Sequence, residues 1–295
     1  MDWDDLRVFL AVARTESLSG AGKALRLDPA TVGRRIARLE EAMAARLFAK
    51  SPQGYALTDE GGRVLAHAER AEQAMLAARD EVKGASGLTG QIRIGAPDGC
   101  ANYLLPQVLT AICDANPGLE VQIVALPRVF NLSKREADLA IGVSRPEAGR
   151  LRVQKLTDYH LHLAASRAYL EAHPPIRSLE DLKQHRLVGY IPDMIFDKEL
   201  DYLKGLGSGG VPFASNSVSV QLNWLRTGAG VGIVHDFALP AAPELVRILP
   251  DQLSLVRSFW LIRHQDDVRM DRLNRFADGL VQGIRRECLR LEGVT

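Results

Sequence analysis

Residues 17 to 43, SLSGAGKALRLDPATVGRRIARLEEAM, decide the reading of this chain. They fit two short helices joined by a tight turn. Ser17 or Ser19 can cap the first helix, because a short hydroxyl side chain accepts a bond from an unpaired N–H of the first turn. Leu18, Ala21 and Leu25 then recur on one face at helical spacing. Arg26, Leu27 and Asp28 make the connection. Asp28 is a good N-cap, and Pro29 sits at the first helical position, where its missing N–H costs nothing. The second helix buries Val32, Ile36, Leu39 and Met43. Its opposite face carries Ala30, Arg34 and Arg38, flanked by Thr31, Gly33 and Arg35. Small residues near the N-terminal end let a helix seat deep in a major groove. Arginines behind them can bond both acceptors of a guanine edge, or clamp a phosphate. Taken alone, the arginines also fit a solvated surface helix.

The flanks decide between the two. Phe9, Leu10, Val12 and Ala13 belong to a preceding amphipathic helix, expected from about Asp4 to Arg14, with Asp2, Asp4 or Asp5 at its positive end. Leu47 and Phe48 follow, then SPQGYALTDEG at 51–61, the pattern of a short wing and the start of another helix. Lys50 and Gln53 sit in the wing, where a basic or polar side chain can meet phosphate. Together, FLAVARTESLSGAGKAL (9–25), TVGRRIARLE (31–40), LF (47–48) and LTDEG (57–61) resemble the N-terminal winged helix-turn-helix of LysR-type transcriptional regulators. The candidate DNA contacts are then Ser19, Ala30, Thr31, Gly33, Arg34, Arg35, Arg38, Lys50 and Gln53.

The departures from that family's pattern fall in the reading helix. Asp28, Pro29 and Ala30 stand where the family usually has Ser-Gln-Pro or similar, so a glutamine that could read an adenine edge is absent. Gly33 replaces a frequent serine. Gly22 replaces a frequent alanine, at up to ~1 kcal/mol in helix propensity. Base recognition is expected to rest more on Thr31, Arg34 and Arg35 than in relatives, and the target sequence does not carry over.

Composition is that of an ordinary globular protein, 46% hydrophobic and 25% charged over 295 residues, which favours two domains. With a formal net charge of +1, the chain is no polycation, so DNA binding has to come from a local patch. From Lys23 to Lys50 there are seven basic residues against three acidic ones, which supplies it. Cys100, Cys113 and Cys288 have no paired spacing, so neither a disulfide framework nor a zinc motif is expected. The acidic N-terminus MDWDDLRVF is no signal peptide, and no apolar run is long enough to span a membrane. A cytoplasmic, nucleoid-associated protein is expected.

Thr58 caps a long helix reaching to about Ser86. Val64, Ala68, Ala71, Met75, Ala78, Val82 and Ala85 repeat at alternating spacings of four and three, a sustained coiled-coil seam. So narrow and alanine-rich a stripe buries too little for a lone helix. Its expected partner is its own copy in a second subunit, since no preceding segment offers a matching surface. At about 1.5 Å per residue the helix spans roughly 40 Å. The resemblance also implies a dimer through this helix, and a tetramer as the family often forms.

Gly84–Gly90, GASGLTG, reads as a hinge. Beyond it strands and helices alternate, which predicts a mostly parallel sheet covered on both faces. Strands are expected at Gln91–Ala96, Glu120–Ala125, Asp138–Val143 and His160–Ala165, with a helix at Tyr103–Asn116. From about Ser166 the alternation begins afresh, and a helix from about Val268 to Leu291 closes the chain. The expected divisions are 1–58 (winged helix-turn-helix), 59–90 (linker helix and hinge) and 91–295. The last comprises one lobe at about 91–162 and 265–295 and another at about 163–264. Such lobes bind ligands between them, at the carboxyl ends of their strands. The resemblance implies the same fold: an all-α winged domain with a long linker helix, then a two-lobed α/β effector domain like a periplasmic binding protein.

Within the expected cleft, APDGCAN at 96–102 joins the first strand to the first helix, with Asp98, Gly99, Cys100, Ala101 and Asn102 as candidates. The family often places an effector-touching Ser or Thr in this loop. Asp98 disfavours a carboxylate ligand unless Arg128 or Arg145 pairs with it. Facing candidates are Arg128, Ser144, Arg145, Pro192, Asn216, Ser217, Val218 and His235. Cys100 and Cys113 lie too far apart on one expected helix for a redox pair. His160 and His162 have weak metal spacing, and a structural role fits them better. GAGVG at 228–232 precedes a strand rather than following one, the wrong geometry for a dinucleotide fingerprint. There is no nucleophile with an oriented base, so no enzyme is expected and no cofactor or metal is implied. The expected function is a sequence-specific transcriptional regulator whose DNA occupancy is set by a small-molecule effector. The rival is a cytoplasmic small-molecule-binding or enzymatic α/β protein with an incidental helical N-terminus.

Overall fold

The computed structural model describes residues 2–51, 54–82, 87–125, 137–146, 151–203, 205–206, 210–265 and 270–293. They fall into two compact units, 1–86 and 87–295.

The first unit opens with α1 (Trp3–Thr15), capped by the Asp2 carboxylate, which accepts from the Asp4 amide at 3.2 Å. α2 (Leu18–Leu25) is capped by Ser17, whose Oγ accepts from the Gly20 amide at 3.2 Å. It ends at Arg26, in the left-handed region (φ 56°), and the Leu27 amide turns back to the Gly22 carbonyl at 2.9 Å. A Cβ at Gly22 would lie 2.6 Å from the Leu27 carbonyl oxygen. The tight connection therefore requires glycine there, whatever it costs in helix propensity. α3 (Pro29–Met43) is capped by Asp28, which accepts from the Ala30 amide at 2.8 Å. β1 (Phe48–Ser51) and β2 (Gly54–Leu57) pair antiparallel as the wing. Thr58 Oγ1 accepts from the Gly61 amide at 2.9 Å and starts α4 (Asp59–Val82). Phe9, Val12, Val32, Leu39 and Leu47 are wholly buried, with the Phe9 and Phe48 rings 5.2 Å apart.

One expectation about α4 is corrected. A preceding segment does offer its seam a surface. Ala68 is wholly buried in this unit's core, with Val64, Leu65 and Ala71 packed against it, and Arg14 of α1 forms a bidentate pair with Glu72 at 3.2 and 2.5 Å. The early seam is spent on α1, the helix farthest from α4 in sequence within this unit, a pairing that no local pattern shows. Met75, farther along, is 53% exposed. The hinge residues 84–86 and the seam residue Ala85 lie outside the described residues, and the side chains of Ala78 and Val82 do too.

The second unit is built on one sheet. β3 (Gly90–Ala96) runs parallel to both β4 (Leu119–Ala125) and β5 (Leu139–Gly142). α5 (Asp98–Tyr103) and α6 (Leu105–Asp114) connect β3 to β4. β6 (Leu151–Ser166) continues into α7 (Arg167–Ala172). β7 (Leu187–Gly189) runs parallel to β8 (Phe213–Ala214) and to β9 (Val231–His235), with α8 (Val218–Arg226) between the last two in sequence. β10 (Leu245–Arg247), β11 (Ser254–His264) and α9 (Asp271–Glu292) complete it. The order is β4-β3-β5-β11-β6-β9-β7-β8, with β10 also on β6.

The expected mostly parallel sheet is corrected to a mixed one. β6 pairs antiparallel with β9, β10 and β11, and β11 antiparallel with β5. The two long strands are shared by both lobes. Near Leu151–Lys155, β6 lies against the end of β11 that also holds β5, while residues 161–164 hold β9. The expected lobe boundary at 162/163 falls inside this strand. Its first half escaped detection because Arg152, Lys155 and Asp158 are exposed and interrupt the apolar run. α9 packs on α6 so closely that a Cβ at Gly283 would lie 2.5 Å from Val108. The GAGVG stretch serves backbone contact: Cβ atoms at Gly230 and Gly232 would meet the carbonyl oxygens of Arg186 and Val188 at 2.2 and 2.7 Å.

Candidate functional site

Two surfaces carry the candidate residues, one in each unit. On α3, Val32, Ile36 and Leu39 turn inward, which leaves Ala30, Thr31, Gly33, Arg34, Arg35 and Arg38 wholly or partly exposed. Arg34 Nη2 donates to Thr31 Oγ1 at 3.1 Å, one turn towards the N-terminus. The other two arginines are turned to α1. Arg38 grips the Asp5 carboxylate with both Nε, at 2.7 Å, and Nη2. Arg35 Nη1 lies 3.5 Å from Asp4 and 3.9 Å from Asp5. Asp5 is 2% exposed, so its charge needs a partner, and the guanidinium fork supplies one. Thr31 and Arg34 thus keep the freest polar reach on this face. Ser19 is exposed on α2, its Oγ 2.9 Å from Ser17 Oγ. The backbone of Lys50 faces Tyr55 in the wing; its side chain and Gln53 lie outside the described residues. A glycine at position 33 is not enforced by crowding, since its Cβ would meet only Leu18 Cδ1, at 3.5 Å.

In the second unit, two expected sides of the cleft come into direct contact. Asp98 starts α5, and its Oδ2 accepts from Ser217 Oγ at 3.1 Å, the Ser219 amide at 2.9 Å and Ser219 Oγ at 3.0 Å. These donors stand at the N-terminus of α8, where free amides and the helix dipole favour a negative charge. Asn102 Nδ2 donates to Asp98 Oδ1 at 3.0 Å. The partner expected from Arg128 or Arg145 is therefore supplied by serines and an amide. Arg128 lies outside the described residues, and Arg145 is exposed.

Gly99 lets α5 approach β9: its missing Cβ would lie 3.4 Å from both the His235 ring and Val218 Cγ1. His235 stacks on Tyr159, ring centres 5.3 Å apart. Burial pushes its imidazole down to about 4, against the opposing pull of Asp98, so the ring is neutral near pH 7. Ser144 Oγ donates to Asp197. Pro192 is exposed and Asn216 half-buried.

Cys100 and Ala101 are corrections. The expected loop is helical from Asp98, so both residues fall on the inner face of α5 and pack into the core, 0% and 6% exposed. Burial pushes the Cys100 thiol far up, out of reach of thiolate chemistry. Cys100 and Cys113 lie on two helices, α5 and α6, rather than one. His160 and His162 each have their own carboxylate, Glu292 at 2.7 Å and Asp236 at 2.9 Å, the latter shared with Arg247 at 3.1 Å.

Sequence reasoning missed Tyr190, Tyr202 and Gln221. They line a cavity of about 140 Å³ with Val188, Ile233 and Leu203. The aromatic spacing at 190 and 202 carries no period, and the stretch between looked like loop.

Comparison with known proteins places both domains in one family. A family model described as "Bacterial regulatory helix-turn-helix protein, lysR family" matches residues 3–62, and one described as "LysR substrate binding domain" matches residues 85–285. The chain is 26% identical over 290 residues to the HTH-type transcriptional regulator CrgA of Neisseria meningitidis serogroup C (strain 8013), across 95% of this chain and 96% of that protein. It is 29% identical over 262 residues to the HTH-type transcriptional activator TtdR of Escherichia coli (strain K12), across 84% and 82%. Its fold matches the structure of CrgA from Neisseria meningitidis with a TM-score of 0.60 at 24% identity, covering 96% of this chain and 99% of that one. The chain therefore belongs to the LysR family of transcriptional regulators, with an N-terminal helix-turn-helix for DNA and a two-lobed domain for the small molecule that modulates DNA occupancy.

Proposed function

We propose that α3 reads one operator half-site, with Thr31 and Arg34 at the base edges and Arg35, Arg38 and the wing holding its orientation. The observation that carries this reading is the division among the arginines. Among the described residues Arg34 is tied only to a neighbour on its own helix, while Arg38 is anchored to a buried carboxylate. An arginine that reads bases must be able to leave its resting partner, and Arg34 gives up less.

The winged domain 1–58, the linker and hinge 59–90 and the effector domain 91–295 act as separate functional parts. Self-association runs through α4 beyond the portion packed on α1, giving a dimer that places two reading helices on two half-sites, and a tetramer from two dimers. Met75 supports this, as a large apolar side chain on the exposed side of a long helix. The effector sits between the lobes, near Asp98, Asn102, Ser144, Ser217 and His235. It acts by its differential affinity for two lobe arrangements. The chain works as a regulator rather than as an enzyme, in the cytoplasm on the nucleoid; among the described residues no helix is long and apolar enough to cross a membrane.

Footprinting on the DNA upstream of its own gene, with and without candidate metabolites, tests the reading. Protection over two half-sites, altered by one metabolite, is expected. No protection at any salt concentration overturns it.

A further inference from the structure

A glycine inside a helix needs a reason, because it loses more backbone freedom on folding than any other residue and forms helix poorly. Two helical glycines of the first unit have that reason in packing. A Cβ at Gly22 of α2 would lie 2.6 Å from the Leu27 carbonyl oxygen, and one at Gly61 of α4 would lie 2.1 Å from that of Leu47. Backbone closes both positions to any side chain.

Gly33 has no such constraint. It lies within α3, and beyond its own helix an added Cβ would meet only Leu18 Cδ1, at 3.5 Å. That is an ordinary van der Waals contact with the end of a flexible side chain. The fold alone would be better served by alanine, so the benefit of a bare backbone at position 33 lies outside the chain.

Its surroundings select what can approach. Val32, Ile36 and Leu39 face the core, and Gly33 stands on the flank between that buried face and the exposed Arg34. Its neighbours one helical turn away are Ala30 and Ala37, both exposed, and α2 adds the half-buried Leu18. The place left by the missing side chain is thus a shallow notch bordered by methyl groups. Phosphate oxygens and the acceptors of a guanine edge call for donors. The group of a major-groove edge that suits an apolar notch is the C5 methyl of thymine.

We infer that Gly33 is a specificity-determining residue of this regulator: its bare backbone seats a thymine methyl of the half-site against Leu18 and the alanines of α3. The inference rests on α3 being the reading helix, and it assigns one base type to one position of that helix.

Gly33→Ala adds one methyl group to the protein, and replacing thymine by deoxyuridine removes one from the DNA, so the two changes probe each other. The full chain is titrated onto its footprinted operator by fluorescence anisotropy. Gly33→Ala raises the thermal midpoint by about two to four degrees, because alanine is the better helix former and has room. The same variant binds the operator about tenfold more weakly, because its methyl occupies the place of the thymine methyl. The thymines of one half-site are then replaced singly by deoxyuridine. At one position the exchange weakens binding of the unmodified chain and restores most of the affinity that Gly33→Ala lost. The inference is overturned if the midpoint falls, which makes the glycine a requirement of the fold. It is equally overturned if Gly33→Ala binds like the unmodified chain, or if no single deoxyuridine restores its affinity. Arg34→Ala on the same operator tests the underlying reading separately. A loss there with none in Gly33→Ala refutes the thymine seat alone, and unchanged binding in both variants refutes the reading helix itself.

Discussion

The Asp98 carboxylate accepts from both the amide and the hydroxyl of Ser219, a residue 121 positions later in the chain. The contact fastens α5, which follows a strand of the first lobe, to α8, which precedes a strand of the second. It also determines what the cleft can do, because the donors that would hold an incoming anion are in use.

Asp98→Ala should therefore destabilise the second unit by about 1–3 kcal/mol, the range for leaving hydrogen-bonding groups without their partner. Asp98→Asn should recover part of that, because its amide oxygen can still accept from Ser219. Urea unfolding of the three proteins is the measurement. Equal stability of Asp98→Ala and the unmodified chain would show that the contact holds nothing together.

The arginines of α3 should separate by their partners. Arg34→Ala should lower operator affinity with an unchanged unfolding midpoint. Loss of a base contact costs ~1–3 kcal/mol and relaxes specificity at one position, whereas loss of a phosphate contact lowers the salt slope by about one unit. Arg38→Ala should instead lower the unfolding midpoint, because buried Asp5 loses its two hydrogen bonds and keeps only the longer Arg35 contact at 3.9 Å. Adding Asp5→Asn to it should restore much of the midpoint, a coupling that a double-mutant cycle reads directly. If Arg38→Ala unfolds like the unmodified chain, Arg38 is free and belongs with Arg34.

The fold of the first unit was legible because its signals are local. Asp28, Pro29 and the spacing of Val32, Ile36 and Leu39 state a helix, its start and its buried face within a dozen residues. The pairing of Arg38 with Asp5 spans 33 positions, and the sequence shows only that both charges exist. The same limit applies to the cleft. Asp98 and Ser217 both stood among its candidates, yet that they would bond each other rather than a ligand depends on how β3 and β9 bring their helices together. Cys100 was misplaced by a boundary error of a few residues, since one helical turn decides whether a side chain enters the cleft or the core. Tyr202 was invisible, because it stands in an irregular stretch and only its burial reveals it.

The seam of α4 carries a prediction of its own. Ala71 packs on this chain's core, so a charge there would disrupt the winged domain as well as any dimer. Met75 is 53% exposed and makes a cleaner probe. Met75→Glu should leave the unfolding midpoint of an isolated chain unchanged, shift the oligomer towards monomer in ultracentrifugation, and weaken binding to a two-half-site operator more than to one half-site. An unaltered oligomer would remove this stretch of α4 from the interface.

His235 should govern the acid side of stability. It is 4% exposed, stacked on Tyr159, edge-on to Tyr202 and set against Gly99, with its Nδ1 unpartnered among the described residues. Burial lowers its pKa to about 4 in the fold, whereas an unfolded histidine titrates near 6.5; Asp98, the charged group that acts on it, only partly offsets this. Between those values the unfolded chain holds one more proton than the native one, so stability rises with pH across that window. Stability is fully present above about pH 6.5, declines as the pH falls towards 4, and then levels off, with a total change on the order of 3 kcal/mol from this group. His235→Phe keeps a ring against Tyr159 and cannot titrate. Urea unfolding from pH 7 to pH 4 should therefore show a shallower loss in this variant than in the unmodified chain. Parallel curves would mean that His235 is charged in the fold, and that Asp98 rather than burial sets its state.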